Sequence, residues 1–584
     1  MLGAASNQAP IRRANPGRSP RLHELAPRLQ MRTFATKDLY RGKPALDPAE
    51  IFVRQEIEPA VTCIASLVGS HDPYCLCAAG SDRAPRLYKT GIGEHVSIGA
   101  IISLTTYFIL MIGIGIYAYR KSTATSADYI LGGRNLPPAV AALSAGASDM
   151  SGWLLLGLPG ALYAAGLVEA WIGIGLFLGA LVNWIVVAPR LREQTERYDN
   201  ALTIPAFLAN RFPSRGVMLR MVSAVIIVVF FAVYTASGLV AGGKLFQSAF
   251  DGSYQFGVWL TLGVVLAYTV VGGFLAVSLT DFCQGLIMML ALIIMPAIVL
   301  YSGKGAGFAQ VQETLSGVEG FSLDLWTPDM TLIGFISLLA WGLGYFGQPH
   351  IIVRFMAVKS VAAVATARNI GMAWMGIALI GAVGVGIFGR AYVERNGVVI
   401  EDSETIFIYL ADNLFPGLIT GFFLAALLAA IMSTVSSQLL VSSSSLAEDF
   451  YKLVLNRGAS EKTLVAIGRI SVVAVGAVAA LIAGDPESEV LDLVANAWAG
   501  FGAAFGPLVI LSLTWPRMNG AGAVAGLVVG AATVGLWIFT GLKAATGLYE
   551  IIPGFVLAWL AIYVVSLATK DRGEFRSTIS APAE

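Results

Sequence analysis

The chain has 584 residues, of which 56% are hydrophobic and only 13% charged, with a mean hydropathy of +0.72 and a formal net charge of +1. Soluble domains carry about 25% charge, so the composition excludes an ordinary soluble domain and points to a polytopic membrane protein. The near-zero net charge gives no reason to expect a nucleic-acid partner. The four cysteines, Cys63, Cys75, Cys77 and Cys283, are too few for a disulfide framework and lack paired zinc-site spacing.

Residues 1–95 differ from the rest. They are polar and rich in Arg and Pro, with Glu24 the single acid among the first thirty residues, a pattern loosely like an organelle transit peptide. No apolar run of spanning length occurs there, and disorder is expected. The favoured reading is a wrongly chosen start, with Val96 opening the protein directly before its first span; a functional extension is the alternative.

From residue 96 to about residue 570, apolar runs of about 20 residues recur, the length that crosses a bilayer. Thirteen candidate spans centre near residues 108, 152, 178, 232, 265, 290, 340, 378, 430, 474, 500, 530 and 560, with a short tail over 571–584. Alternate loops are basic. They carry Arg120, Lys121 and Arg134; Arg190, Arg192, Arg197, Arg211 and Arg215; Arg354, Lys359 and Arg368; Lys452, Arg457 and Lys462; Arg517; and Lys570, Arg572 and Arg576. The intervening loops hold Asp251, then Lys304 among Glu313, Glu319, Asp324 and Asp329, then Asp485, Glu487 and Glu489. The positive-inside rule therefore predicts an odd number of spans, with the N-terminus outside and the C-terminus cytoplasmic.

The second span contains Ser144-Ala-Gly-Ala-Ser-Asp149-Met-Ser-Gly-Trp153, small polar residues and a carboxylate within an apolar run. An ionised Asp at membrane depth is costly and normally marks a cavity or an ion pathway. The seventh span contains Trp341-Gly-Leu-Gly-Tyr-Phe-Gly-Gln-Pro349-His350, three glycines and a proline, and both residue types weaken helices. Broken helices five spans apart point to an inverted-repeat transporter. The ninth span adds Ala430-Ile-Met-Ser433-Thr434. Hydroxyls and freed carbonyls suit sodium, a hard cation that prefers oxygen ligands; bonding back to the preceding turn is the plainer alternative.

Asp149 reads as a direct ligand, as an electrostatic attractor of sodium, or as a cap on the half-helix after the break. Asp281, in Ser278-Leu-Thr-Asp281, reads as the cytoplasmic start of the sixth span, with an N-cap shared with Thr280 as the structural alternative. Trp341, Tyr345 and Pro349 recur at four-residue spacing, one face of an α-helix, for which simple packing is the alternative. His350 is expected at an interface rather than as a proton carrier. There is no P-loop, HExxH or GxSxG, so neither an enzyme nor an ATP-driven transporter is expected, and no cofactor.

The blocks Asp128–Arg134, Ser144–Pro159, Tyr234–Gly238, Gly272–Ser278, Trp341–Pro349, Met432–Ser436 and Ala495–Pro507 occur in order between Leu104 and Leu567, and together they resemble the sodium/solute symporter family. The resemblance implies an all-α, polytopic, LeuT-like inverted-repeat fold, its core at about 138–514, in the inner cell membrane. It implies sodium-coupled uptake of L-proline, with sodium as the coupling ion. Sodium would be held by carbonyls of Ala147, Met150 and Ala430 and by hydroxyls of Ser433 and Thr434, with Asp149 beside them. Ser151, Gly152, Trp341, Tyr345, Pro349 and, more weakly, Tyr234 would meet the solute. Trp153 would gate, Asp281 would lie on the sodium exit path, and Arg134 and Glu169 match positions linked to function. Symport of another small solute and a solute-sensing membrane protein are the alternatives; the intact Ser433-Thr434 pair favours transport.

Overall fold

The computed structural model describes residues 86–87, 97–121, 126–301 and 307–569. The expectations for most of the N-terminal extension, with Cys63, Cys75, Cys77 and Val96, for Lys304, and for Lys570, Arg572, Arg576 and the tail, lie outside the described residues.

The described chain is a bundle of helices, as it must be where no water is available to satisfy backbone groups. In chain order these are α1 (Ile98–Lys121), α2 (Pro138–Asp149), α3 (Leu158–Ala165), α4 (Ala170–Val186), α5 (Ile204–Arg211), α6 (Gly216–Phe250) and α7 (Tyr254–Tyr301). There follow α8 (Leu332–Leu339), α9 (Pro349–Ala357), α10 (Val364–Asn396), α11 (Ile406–Leu414), α12 (Gly417–Ser444), α13 (Glu461–Ile482), α14 (Val490–Thr514), α15 (Gly520–Phe539) and α16 (Ile551–Ala568).

Among the described residues, ten helices are long and apolar enough to cross a membrane, and two sharply bent pairs bring the number to twelve. The one remaining expected span, the fifth, centred near 265, falls on a shorter apolar helix, Tyr254–Val270, which does not reach that length. It is separated from the next span because α7 is interrupted at Gly273, with φ 60° and ψ −162°. Only glycine fits there: a Cβ would lie 2.7 Å from the Tyr129 ring, and the φ is one that other residues rarely adopt.

The order of burial locates the core. The most apolar windows of α12 and α14 are 83% buried, against 28% for α1 and 33% for α15 and α16. The first and last two spans thus form a lipid-facing periphery, and α12 runs through the middle beside both bent pairs.

Candidate functional site

The first bent pair is α2 and the helix Trp153–Ala165, which meet at 65°. Met150 leaves helical geometry at φ −79°, ψ 80°, and the amides beyond it change partners. In a continuous helix Ser151 would donate to the Ala147 carbonyl and Leu154 to that of Met150. Instead Ser151 donates to Asp149 (2.9 Å) and Leu154 to Ser151 (3.0 Å). The break itself therefore frees the Ala147 and Met150 carbonyls.

The Ala147 carbonyl is met from α12. Ser433 Oγ donates to it at 2.7 Å and Thr434 Oγ1 at 3.3 Å, and Ser433 Oγ also lies 3.1 Å from the Ala430 carbonyl. Four of the six expected sodium ligands thus converge across two helices distant in sequence. The back-bond from Ser433 to its own helix exists, but the bond across to Ala147 is shorter. A hydroxyl rotates its proton to suit its partner, so the same oxygens can turn lone pairs to a cation. Carbonyls and neutral hydroxyls buried together are a donor set that fits sodium.

Asp149 makes no bond to Ser433 or Thr434 among the described residues. Its Oδ2 accepts a short hydrogen bond from the Tyr345 hydroxyl. Its carbonyl accepts from the Trp153 indole at 3.1 Å and from the Tyr234 hydroxyl at 3.4 Å, so all three aromatic residues close on the break. The capping role is not realised, since no side chain caps the helical turn after the break. Trp153 is folded back and buried, bracing the break. Ser151 Oγ accepts the Trp153 amide at 3.4 Å, and Gly152 packs so closely that a Cβ would lie 2.8 Å from the Ala241 side chain.

The second bent pair, Leu332–Gly347 with Pro349–Ala357, meets at 47°. Here the single-face expectation fails. Residues Ala340–Gly347 form a 3-10 helix, in which three residues make a turn and side chains four apart no longer stack; Gln348 then leaves the helix before Pro349. Trp341 stacks on Tyr549 with ring centroids 5.4 Å apart, and Tyr345 meets Trp498 edge-on at 5.0 Å. Pro349 instead lines a separate small cavity with Thr203, Phe274 and Ser444. Gly344 also serves packing: a Cβ there would overlap the Trp498 indole nitrogen at 1.8 Å.

The sodium:solute symporter family model matches residues 129–530, well over half of the chain. This chain belongs to the sodium:solute symporter family. Relatives include the osmoregulated proline transporter OpuE and the high-affinity proline transporter PutP of Bacillus subtilis (strain 168), both 53% identical. They are matched over 81% and 79% of this chain and 96% of each relative. The sodium/proline symporter of Staphylococcus aureus (strain JH9) is 49% identical over 82% of this chain and 94% of its own length. Among solved structures, a substrate-bound outward-open Na+-coupled sialic acid symporter aligns with a TM-score of 0.69 at 19% identity, covering 82% of this chain and 100% of that chain. That likeness concerns the fold, which is LeuT-like. The family is one of multi-pass membrane transporters, not enzymes.

In this symporter Asp281 does not start a span. It lies eight residues beyond the Gly273 kink, inside α7 and fully buried, and Thr280 bonds back to Ala276 (3.0 Å) and Val277 (2.9 Å) rather than sharing a cap. Asp281 Oδ2 accepts from Ser144 Oγ at 2.7 Å and pairs with Arg354 at 3.2 Å. Arg354 also donates to Ser144 at 3.1 Å and to Ser437 at 2.5 Å, and it lies over the Phe274 ring at 5.2 Å. Ser437 is one turn along α12 from Ser433, and Ser144 is about one turn before Ala147, so this ion pair adjoins the Ala147, Ser433 and Thr434 cluster on both helices. Sequence reasoning counted Arg354 as a loop charge. The signal it passed over is that Arg354 interrupts Ile351-Ile-Val and Phe355-Met-Ala, a single charge in an apolar run.

Arg134 is no ordinary loop charge either. It adopts φ 53° and donates to Asn200 (2.8 Å), Thr195 (3.0 Å), the Met356 carbonyl (2.9 Å) and the Ala201 carbonyl (2.6 Å). It thereby ties the segment before α2 to the end of α9, holding both broken spans at one end of the bundle. Glu169, in the turn Leu167–Glu169 at the far end of the second span, is half-buried and has no ion pair among the described residues. His350 is not interfacial. It is fully buried, edge-on to Phe231 (5.3 Å) and Tyr234 (5.7 Å).

At the opposite end a second buried pair was invisible in the sequence. Lys244 of α6 pairs with Glu404 at 2.7 Å and with Asp402 at 2.8 Å. Glu404 in turn accepts the first amides of α14, Val490 at 2.9 Å and Leu491 at 3.0 Å, placing a negative charge where the helix dipole favours it. We expect Glu404→Gln or Lys244→Met alone to cost about 3 kcal/mol of stability by leaving a buried charge unpaired, and the double variant to cost less than the sum. Thermal unfolding of the four proteins in one detergent checks this; additive losses would mean that the pair is not coupled.

Proposed function

We propose that this protein imports L-proline together with sodium by alternating access. The observation that carries the sodium half is the meeting of the freed Ala147 carbonyl with the Ser433 and Thr434 hydroxyls. The sodium cradle comprises those groups with the Ala430 and Met150 carbonyls, and Asp149 supplies the negative charge nearby. Proline as the solute is supported by relatives at 53% identity that are named proline transporters. Its ring suits the aromatic set of Trp153, Tyr234, Trp341 and Tyr345, with Ser151 and Gly152 at the break. Pro349 supports the bend from below, Trp153 closes over the break, and Asp281 stands on the way out for sodium. Arg134 and Glu169 mark the two ends of this machinery.

In this reading residues 96–570 form the transport domain, with the inverted-repeat core at 138–514 and a cytoplasmic tail after it. The basic loops face the cytoplasm, and the N-terminus is outside the cell membrane. Moving one positive charge through 100 mV supplies about 2.3 kcal/mol, which at about 1.4 kcal/mol per tenfold sustains roughly a 50-fold gradient of a neutral zwitterion.

The test is radiolabelled L-proline uptake into proteoliposomes under an inward sodium gradient, then with choline replacing sodium. Accumulation that needs sodium and is blocked by unlabelled proline is the expected result. Sodium-driven uptake of a different solute would overturn the proline assignment alone; binding of proline without movement of any solute would favour a sensor.

A further inference from the structure

We infer that Tyr549, in the loop before the last span, is a positioning residue of the solute site: its ring holds the Trp341 ring in place and so sets the affinity for the solute. This role rests on the reading above in which Trp341 meets the solute, and it adds a residue from outside the inverted-repeat core.

The loop between α15 and α16 holds a short helix, Leu542–Thr546, which Gly547 ends at φ 67°, ψ 5°, a left-handed turn that glycine adopts at no steric cost. Two residues later Tyr549 enters the bundle. The spans on either side lie at the periphery, with only 33% of their most apolar windows buried, yet Tyr549 itself is 4% exposed. Three contacts fix it. Its amide donates to Ser337 Oγ at 3.1 Å, and that hydroxyl donates in turn to the Gly547 carbonyl at 3.2 Å. Its own hydroxyl donates to the Ala495 carbonyl of α14 at 2.8 Å. Its ring stacks on Trp341, with centroids 5.4 Å apart and planes 28° from parallel.

These partners lie on the elements that carry the aromatic residues of the proposed solute site. Ser337 is on α8, four residues before Trp341. Ala495 is three residues before Trp498, whose indole donates to the Trp341 carbonyl at 2.7 Å and whose ring meets Tyr345 edge-on at 5.0 Å. The Tyr345 hydroxyl donates to Asp149 at the break of the second span. Tyr549 thus stands at one end of a chain of contacts that reaches the break. Trp341 needs such a brace. It sits in a 3-10 stretch, where backbone hydrogen bonds are poorly aligned, among Gly342, Gly344 and Gly347, which add backbone freedom. Stacked rings contribute beyond the area they bury, and an indole whose rotamer is already fixed binds a solute without losing side-chain freedom.

The test is binding of radiolabelled L-proline at saturating sodium, and of radioactive sodium without proline, to the purified protein. Tyr549→Leu, Tyr549→Phe, Trp341→Leu and the double variant Tyr549→Leu/Trp341→Leu are compared with the wild type. Tyr549→Leu should weaken proline binding about tenfold, and Tyr549→Phe, which keeps the ring, no more than about threefold. The double variant should bind proline as Trp341→Leu does, because Tyr549 acts through the indole. Sodium binding without proline should match the wild type in both Tyr549 variants, which also shows that they are folded. Four results would each overturn the inference: unaltered proline binding in Tyr549→Leu, equal losses in the Phe and Leu variants, losses that add in the double variant, or a parallel loss of sodium binding. If Trp341→Leu itself binds proline like the wild type, the solute-site assignment of Trp341 falls, and the positioning role with it.

Discussion

Replacing Thr434 or Ser433 with alanine is expected to raise the sodium concentration for half-maximal proline uptake about tenfold, and replacing both about a hundredfold. Each hydroxyl is buried and meets the Ala147 carbonyl across the break. Removing one withdraws an oxygen ligand and leaves a buried carbonyl less satisfied, a loss of about 1–3 kcal/mol, or roughly a factor of ten or more at 1.4 kcal/mol per tenfold. Protein in the membrane should change little, because an alanine is readily accommodated in α12. Asp149→Asn should act in the same direction without touching either hydroxyl, by withdrawing the negative charge beside the cradle. The measurement is the sodium dependence of uptake alongside immunoblotting of the membrane fraction. An unaltered sodium dependence in both Thr434→Ala and Asp149→Asn would sink the proposed ion site.

Arg354→Met is expected to be the most damaging single substitution among those considered, and Asp281→Asn should partly rescue it. Arg354 and Asp281 are both fully buried at the centre of α9 and α7, and Ser144 and Ser437 depend on the same guanidinium. Truncating one partner strands the other as an uncompensated buried charge, at a cost of about 3–5 kcal/mol. Neutralising both removes that penalty while keeping the volume. The melting temperature and membrane content should therefore fall sharply for Arg354→Met and recover in the double variant. Uptake should recover less, because Ser437 and Ser144 still lack their donor one turn from the proposed ion site. Equal losses in single and double variants would show that the pair acts through its shape and not its charge.

The sequence by itself determined that this is a helical membrane protein with broken second and seventh spans, because hydropathy, charge alternation and small-residue runs are local properties. It also singled out Ser433 and Thr434 as candidate oxygen ligands, since hydroxyls in apolar runs are conspicuous, whereas the Ala147 carbonyl was implied only by the family resemblance. What only the tertiary structure decided is which groups face one another. Periodicity assumed an α-helix through Trp341 and Tyr345, but that stretch folds as a 3-10 helix in which Gly344 packs against Trp498, and Pro349 lines a different cavity. Loop charges and buried charges look alike in sequence, so Arg354 and Glu404 were misjudged or missed: their partners, Asp281 and Lys244, lie 73 and 160 residues away.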